Sequence, residues 1–266
     1  LFISVDQEGG KVRRIKDLTY FPANIEIGAI GDKELSRKAA TVTAKELKEL
    51  GINVNLAPVL DVNNNPSNPV IGSRSFGADP ELVAEMGVAY IEGLQGQGVI
   101  ATAKHFPGHG DTAVDSHFDL PVINHDKERL DQIELYPFKR AIEAGVDSIM
   151  VAHIYFSDIE PVAGMPATLS KAVLNNLLRE ELNFEGVIIT DDLEMGAITN
   201  FFGTAAAAVK TIEAGSNIVL ISHSYDKQKK AIKAVIAAVK NGIISEKRIE
   251  ESLKRIIKLK GKRINI

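Results

Sequence analysis

The sequence predicts an α/β fold, a single-domain barrel of parallel strands wrapped by helices, and three observations carry the prediction. Short apolar runs alternate with helical patterns along the whole chain, the signature of repeated βα units around a parallel sheet. The 266 residues match the usual length of such a barrel. The first polar residue after every clear strand can ionise or hydrogen-bond. A parallel barrel brings all its strand ends to one rim, whereas an open doubly wound sheet gathers them only near a switch point, so this recurrence favours the barrel.

Six strands are read in order: Leu1 to Val5, Asn53 to Leu60, Val99 to Ala103, Ser148 to Ala152, Val187 to Thr190 and Asn217 to Ile221. Each is a short, β-branched apolar run bounded by turn or polar residues, as a buried parallel strand requires. Between them the helices are punctuated. Asp32 caps a helix that runs to Leu50 and stops at Gly51, and Asp79 precedes Pro80, which suits a first helical turn. Ser170 caps Lys171 to Leu182, and two amphipathic segments, Asp226 to Lys240 and Ser245 to Lys260, follow the last strand. No repeat, linker or low-complexity tract divides residues 1–266, so one domain is expected. An eight-stranded barrel needs a further βα unit, and because Leu1 to Val5 already reads as an interior strand, that unit is expected ahead of Leu1.

Composition narrows the function. With 45% hydrophobic and 25% charged residues and a net charge of −4, the chain reads as an ordinary soluble globular domain. It lacks the basic stripe of a nucleic-acid binder and any apolar run long enough to span a bilayer. With no cysteine, disulfides, thiolate metal sites and a cysteine nucleophile are excluded. The compartment is not legible, since a leader would lie ahead of Leu1.

The densest chemistry lies in Lys104 to His117, KHFPGHGDTAVDSH, which packs three histidines, two aspartates and a lysine directly after a strand. Pro107, Gly108 and Gly110 force an irregular loop there, and loops carried by rigid strands are where reactive groups are placed. By itself the segment could be a metal site, an acid/base centre or a phosphate clamp. Within it, Asp115 and His117 are spaced so that the carboxylate can orient the imidazole. His109 and Asp111 read as shaping the loop, and His125 as surface. Asp191 and Asp192 follow the strand GVIIT; because side chains alternate on extended backbone, at most one should face the rim centre. DQEGG, from Asp6 to Gly10, brings a carboxylate to the rim followed by a double glycine and the basic cluster Lys11, Arg13 and Arg14. Arg74, in GSRSFG, offers a guanidinium fork for a ligand oxygen or a carboxylate.

Taken together, DQEGGKVRR at 6–14, NLAPVLDV at 55–62, RSFG at 74–77, KHFPGHGDTAVDSH at 104–117, PATLS at 166–170 and GVIITDDLEM at 186–195 resemble glycoside hydrolase family 3, in particular its β-N-acetylglucosaminidase branch. The segments are colinear and span nearly the whole chain; Lys11 stands where that family commonly has arginine. The resemblance implies a TIM-type (β/α)8 catalytic barrel, here without its first βα unit. It implies Asp191 as nucleophile and His117, paired with Asp115, as general acid/base. It further implies that Asp6, Arg14, Arg74, Lys104 and His105 bind the N-acetylglucosamine unit, with no metal or other cofactor. The activity implied is that of a retaining exo-β-N-acetylglucosaminidase acting on a carbohydrate, a cell-wall muropeptide or chito-oligosaccharide. A neutral imidazole base repels an anionic acceptor less than a carboxylate does, so phosphorylase activity alongside hydrolysis is also expected.

Two other classes compete. A metal-dependent hydrolase would use His105, His109, His117 and Asp191 as ligands, although the spacing lacks the helix-face histidine pair of many zinc sites and Lys104 would repel a cation. A catalytically silent sugar-binding protein would keep Asp6 and Arg74 but could dispense with Asp191 and the Asp115–His117 pair.

Overall fold

The computed structural model describes residues 1–264. In chain order the strands are β1 (Ser4–Val5), β2 (Gln7–Gly9), β3 (Val12–Arg13), β4 (Val54–Asn55), β5 (Ile100–Phe106), β6 (Val122–Ile123), β7 (Ser148–Val151), β8 (Tyr155–Phe156), β9 (Val187–Asp192) and β10 (Ile218–Leu220). The α-helices are α1 (Asn24–Ile30), α2 (Lys33–Glu49), α3 (Pro80–Gly96), α4 (Lys127–Gln132), α5 (Tyr136–Glu143), α6 (Gly196–Thr199), α7 (Thr204–Ala214), α8 (Tyr225–Lys240) and α9 (Glu246–Arg263). Ala172–Glu181 adds a helix wound in the wider i→i+5 pattern.

Six strands form one parallel sheet in the order β1-β4-β5-β7-β9-β10. This is the α/β, barrel-like architecture expected, but the closed barrel is not formed: the sheet curls into a half-barrel with β1 and β10 at its edges. Closure takes about eight tilted strands at this geometry, and six leave a gap. Two small ribbons, β2 with β3 and β6 with β8, lie outside the sheet.

Strand alternation sorts the core into two sides. Ala101, Ala103, Ile149, Val151 and Ile188 join the large cluster that includes Leu47, Met86, Leu94, Phe138 and Leu174, from the outer helices. Their neighbours Ile100, Met150, Val187 and Ile189 fall in a second cluster with Leu56 and Leu259, on the other face, against α9. Fully burying each such side chain contributes about 1.5–3 kcal/mol.

The caps expected at Asp32 and Asp79 are made: their carboxylates accept the N–H groups of Glu34 and Glu81, both at 2.9 Å. Ser170 Oγ likewise accepts from Val173 at 3.0 Å, although the helix it opens is the wide one. Ser224 rather than Asp226 starts α8. Asn53 to Leu60 pairs as a regular strand only over Val54–Asn55; beyond it, Thr102 N donates to the Ala57 carbonyl at 2.9 Å, Lys104 N to that of Pro58 at 3.1 Å and Leu60 N to that of Lys104 at 2.6 Å. Helices α1, α4, α5 and α7, which carry weaker periodicity or only six to eleven residues, are additions to the sequence reading.

Candidate active site

The ends of the parallel strands open onto one cleft of about 720 Å³. Asp6, Lys104, His105 and Asp191 reach it from the strand ends, and Arg14, Arg74, Asp115 and His117 from the loops beyond. All eight residues singled out in the sequence are therefore brought together, and Leu56, Met150 and Leu220 supply an apolar wall.

The floor is a buried ionic network. β2 continues the extended path after Asp6, so Asp6 and Glu8, two residues apart, present their carboxylates to one side. Lys104 Nζ lies 2.7 Å from both. Arg74 grips Glu8 with two bonds, Nε at 3.0 Å and Nη2 at 2.8 Å. Burial raises the Glu8 carboxyl, but Lys104 and Arg74 outweigh it and hold it at about 2. In turn Glu8 and Asp6 keep Lys104 above its ordinary value against the opposing effect of burial. Glu8 was missed by the sequence reading; its i, i+2 relation to Asp6 was the available signal.

Asp61 organises the next layer. Its carboxylate accepts the His109 N–H at 2.6 Å and the His105 N–H at 3.2 Å, and its Oδ2 meets His105 Nδ1 at 2.7 Å. Arg74 Nη2 donates toward His105 Nε2 at 3.3 Å. Because arginine cannot accept, this network assigns the His105 ring proton to Nδ1. Burial pushes Asp61 up, and the histidines His105 and His109 bring it below the ordinary carboxylate value. Asp61 was legible as a strand-end acid but not as the support of His105.

Bulges break the alternation where the chemistry sits. Between Ala103 and Phe106 the register of β5 against β7 shifts, and Lys104 and His105 both reach the cleft. A second shift, between Ile218 and Leu220 on β10, falls opposite Ile189 to Asp192. Asp191 and Asp192 both line the cleft. Their surroundings differ. Asp192 accepts the backbone N–H groups of Glu194 at 3.0 Å and Ser222 at 3.3 Å. Asp191 is half-buried, and its Oδ1 accepts the Asp192 N–H at 2.8 Å. Burial raises the Asp191 carboxyl, but His105, His153, the Asp192 N–H and Lys104 together hold it below its ordinary value.

The opposite wall is the loop after β5. Asp115 Oδ1 accepts from His117 Nδ1 at 2.7 Å and from the His117 backbone N–H at 2.9 Å, and the imidazole is 58% exposed. Asn68 ties the loop root with its amide to the carbonyls of His109 at 2.7 Å and Gly110 at 3.0 Å. Buried His109 bonds Thr112 Oγ1 at 2.8 Å and Ser116 Oγ at 2.9 Å. Burial pulls it down to about 4, so it is a neutral brace, as the sequence suggested. The segment after β9 completes the hold: Gly196 N donates to the His117 carbonyl at 2.9 Å and Ala197 N to that of Ser116 at 3.2 Å. A Cβ on Gly196 would sit 2.7 Å from the His117 oxygen, so glycine permits this approach.

His125, read from sequence as a surface group, is instead half-buried, with Nε2 2.5 Å from Asp111 Oδ2. His105, His109, His117 and Asp191 do not converge as a ligand set. Among the described residues, the group whose donor atoms do converge is Asp111, His125 and Glu134.

Residues 1–259 match the family described as "Glycosyl hydrolase family 3 N terminal domain". Over 283 residues the chain is 40% identical to "Beta-hexosaminidase A" of Pseudoalteromonas piscicida, a match covering 98% of this chain and 47% of that protein. A solved glycoside hydrolase family 3 beta-N-acetylglucosaminidase from Paenibacillus sp. str. FPU-7 is 52% identical with a TM-score of 0.98, covering 99% of this chain and 50% of that one. The beta-glucoside phosphorylase BglX bound to 2FGlc is similar at 28% identity and a TM-score of 0.93, over 98% of this chain and 48% of that one. The chain thus spans about half the length of these relatives. With its strand-end cleft and a match over nearly its whole length, this chain belongs to glycosyl hydrolase family 3.

Proposed function

We propose that residues 1–266 act as one catalytic domain of a retaining exo-β-N-acetylglucosaminidase, of the (β/α)8 lineage, that removes terminal β-linked N-acetylglucosamine. The observation that carries this reading is the placement of an oriented imidazole, His117, and a strand-end carboxylate, Asp191, on the same cleft over a charged floor. The β-hexosaminidase and β-N-acetylglucosaminidase relatives support the substrate class. Muropeptides from peptidoglycan are the proposed source of the sugar.

In the first step an Asp191 oxygen attacks the anomeric carbon, the bond to the departing oxygen breaks, and His117 Nε2 gives that oxygen its proton. Asp115 holds the Nδ1 side and stabilises the imidazolium when the proton is taken back. In the second step water attacks the same carbon, its proton passes to His117, and the bond to Asp191 breaks. Asp6 accepts from sugar hydroxyls. Lys104 and Arg74 present donors from a floor whose geometry is set before substrate arrives, His105 lines that floor beside Arg74, and Arg14 faces it from the loop. No metal or other cofactor takes part in either step.

A second acceptor is also proposed. Arg14 and Lys11 line the cleft, are exposed, and make no ion pair among the described residues. They can attract inorganic phosphate to the glycosyl-enzyme, giving N-acetylglucosamine 1-phosphate in place of free sugar. The phosphorylase among the similar structures supports this reading. Lys104 and Arg74 are instead engaged by carboxylates, both by Glu8 and Lys104 by Asp6 as well.

The experiment is turnover of an aryl β-N-acetylglucosaminide, with products followed by phosphorus NMR as phosphate rises. Turnover with release of N-acetylglucosamine is expected. Sugar binding without turnover would leave the silent binder. Free sugar alone at high phosphate would remove the phosphorylase component.

A further inference from the structure

Asp111, on the loop that carries Asp115 and His117, meets two residues from the segment that follows it. These are His125, just ahead of α4, and Glu134, between α4 and α5. One donor atom from each lies within 4.8 Å of the other two. None of the three lines the cleft. Arg129 is the cation at hand, but it reaches Asp111 Oδ2 and Glu134 Oε1 at only 3.4 Å each.

Hydrogen-bond accounting does not close at this place. Glu134 is 2% exposed, yet its Oε2 accepts nothing. Asn64, whose amide reaches Glu134 Oε1 at 3.3 Å, has its own Oδ1 buried without a partner. Bare acceptors in a protein interior are costly, and they mark places where a further group belongs. An imidazole nitrogen, two carboxylate oxygens and a nearby amide oxygen are together the donor set of a small divalent transition metal.

We infer that Asp111, His125 and Glu134 form a zinc-type divalent metal site that pins the catalytic loop to the segment around α4. Bonds of about 2.0 Å in a tetrahedron set donors about 3.3 Å apart. The 2.5 Å contact between His125 and Asp111 therefore opens, while the wider separations, all within 4.8 Å, close toward that spacing. Arg129 is 35% exposed along its side chain and can turn to solvent as the ion takes over its charge. Glu134 is already packed onto the loop: a Cβ on Gly108 would lie 2.9 Å from Glu134 Cβ. Three protein ligands leave a fourth position for water, or for Asn64 Oδ1. The ion would fix Asp111 four residues ahead of Asp115, tightening the arm that presents His117 without touching substrate. The inference is independent of the glycosidase reading.

The test is zinc chloride titrated calorimetrically into the full protein carrying His117→Ala, which removes the catalytic pair as a competing zinc trap. One equivalent of zinc is expected to bind and to raise the melting temperature. Adding Glu134→Gln or His125→Asn is expected to weaken binding by about tenfold or more and to cancel the thermal shift. Circular dichroism reports whether each variant is folded, and anomalous scattering at the zinc edge from soaked crystals reads the site without any variant at its ligands. No binding to the His117→Ala protein, binding indifferent to both ligand variants, or anomalous signal elsewhere overturns the inference.

Discussion

The floor of the cleft and the arm above it have opposite physical designs. In the floor, Glu8 and Lys104 are each only 2% exposed along their side chains, and every charge faces a partner. In the arm, His117 is 58% exposed and hangs from Asp115 and a few backbone bonds. A group that must stabilise charge benefits from being fixed in a dry, low-dielectric place, since nothing then reorganises as the reaction proceeds. A group that must exchange protons with an incoming acceptor benefits from access to solvent. The floor therefore couples folding to binding, whereas the arm can be altered chemically with little effect on the fold.

On the proposed mechanism the largest effect is expected at Asp191. Asp191→Ala is expected to lower turnover by about 10⁴-fold or more, because no other group there forms the covalent intermediate. Asp192→Ala is expected to be milder, acting through the backbone N–H groups it holds. Trapping with a fluorinated slow substrate and peptide mass analysis checks the assignment, and a label on Asp192 would overturn it.

On the arm, His117→Ala is expected to cost about 10²–10⁴-fold with poor leaving groups and much less with an activated aryl group, whose departure needs little protonation. Asp115→Asn should reproduce part of the defect. Stability by denaturant titration should stay within about 0.5 kcal/mol for the His117 variant, as for other exposed sites. Equal kinetic losses for both substrate types would remove His117 as the acid.

Glu8→Gln tests the floor by the opposite signature. It leaves Lys104 and Arg74 buried with their main counter-charge gone, and the expected loss of stability is about 3–5 kcal/mol. Its KM for the sugar should rise as the donors drift. A variant as stable as wild type would show that the network is not the keel described here.

Gly196→Ala probes the seam between the two regions. The added methyl meets the carbonyl oxygens of His117 and Phe118 and should displace the arm, lowering kcat by about tenfold, with a smaller change in stability than Glu8→Gln. Unchanged kcat would mean that the arm tolerates the shift.

A last expected effect is on acid stability. His109 titrates at about 4 in the fold against 6.5 when free, so the unfolded chain binds more protons between those values. Its contribution is present above pH 6.5 and is lost as pH falls toward 4. Glu8, depressed from 4.5 to about 2, contributes stability above pH 4.5 that is lost as pH falls toward 2. Both slopes have the same sign, so the melting temperature should fall as pH drops from 6.5. His109→Asn should flatten the upper part of that fall and Glu8→Gln the lower part.

The sequence was enough to read the parallel βα order, the caps at Asp32, Asp79 and Ser170, and the strand-end rule that gathers Asp6, Lys104, His105 and Asp191. These follow from periodicity and local backbone chemistry, which are properties of neighbouring residues. It also placed Asp115 beside His117, because two residues on a glycine-rich loop are within reach whatever surrounds them. Only the tertiary structure decided that Glu8 unites Lys104 and Arg74, 96 and 66 positions away along the chain, and that Asp61 orients His105. It alone decided that bulges turn Asp191 and Asp192 onto the same wall, that the segment after Asp191 carries His117, and that the six strands curl without closing. Ion pairing and close packing act through space, between groups whose separation along the chain says nothing of their separation in the fold, and there local pattern ceases to inform.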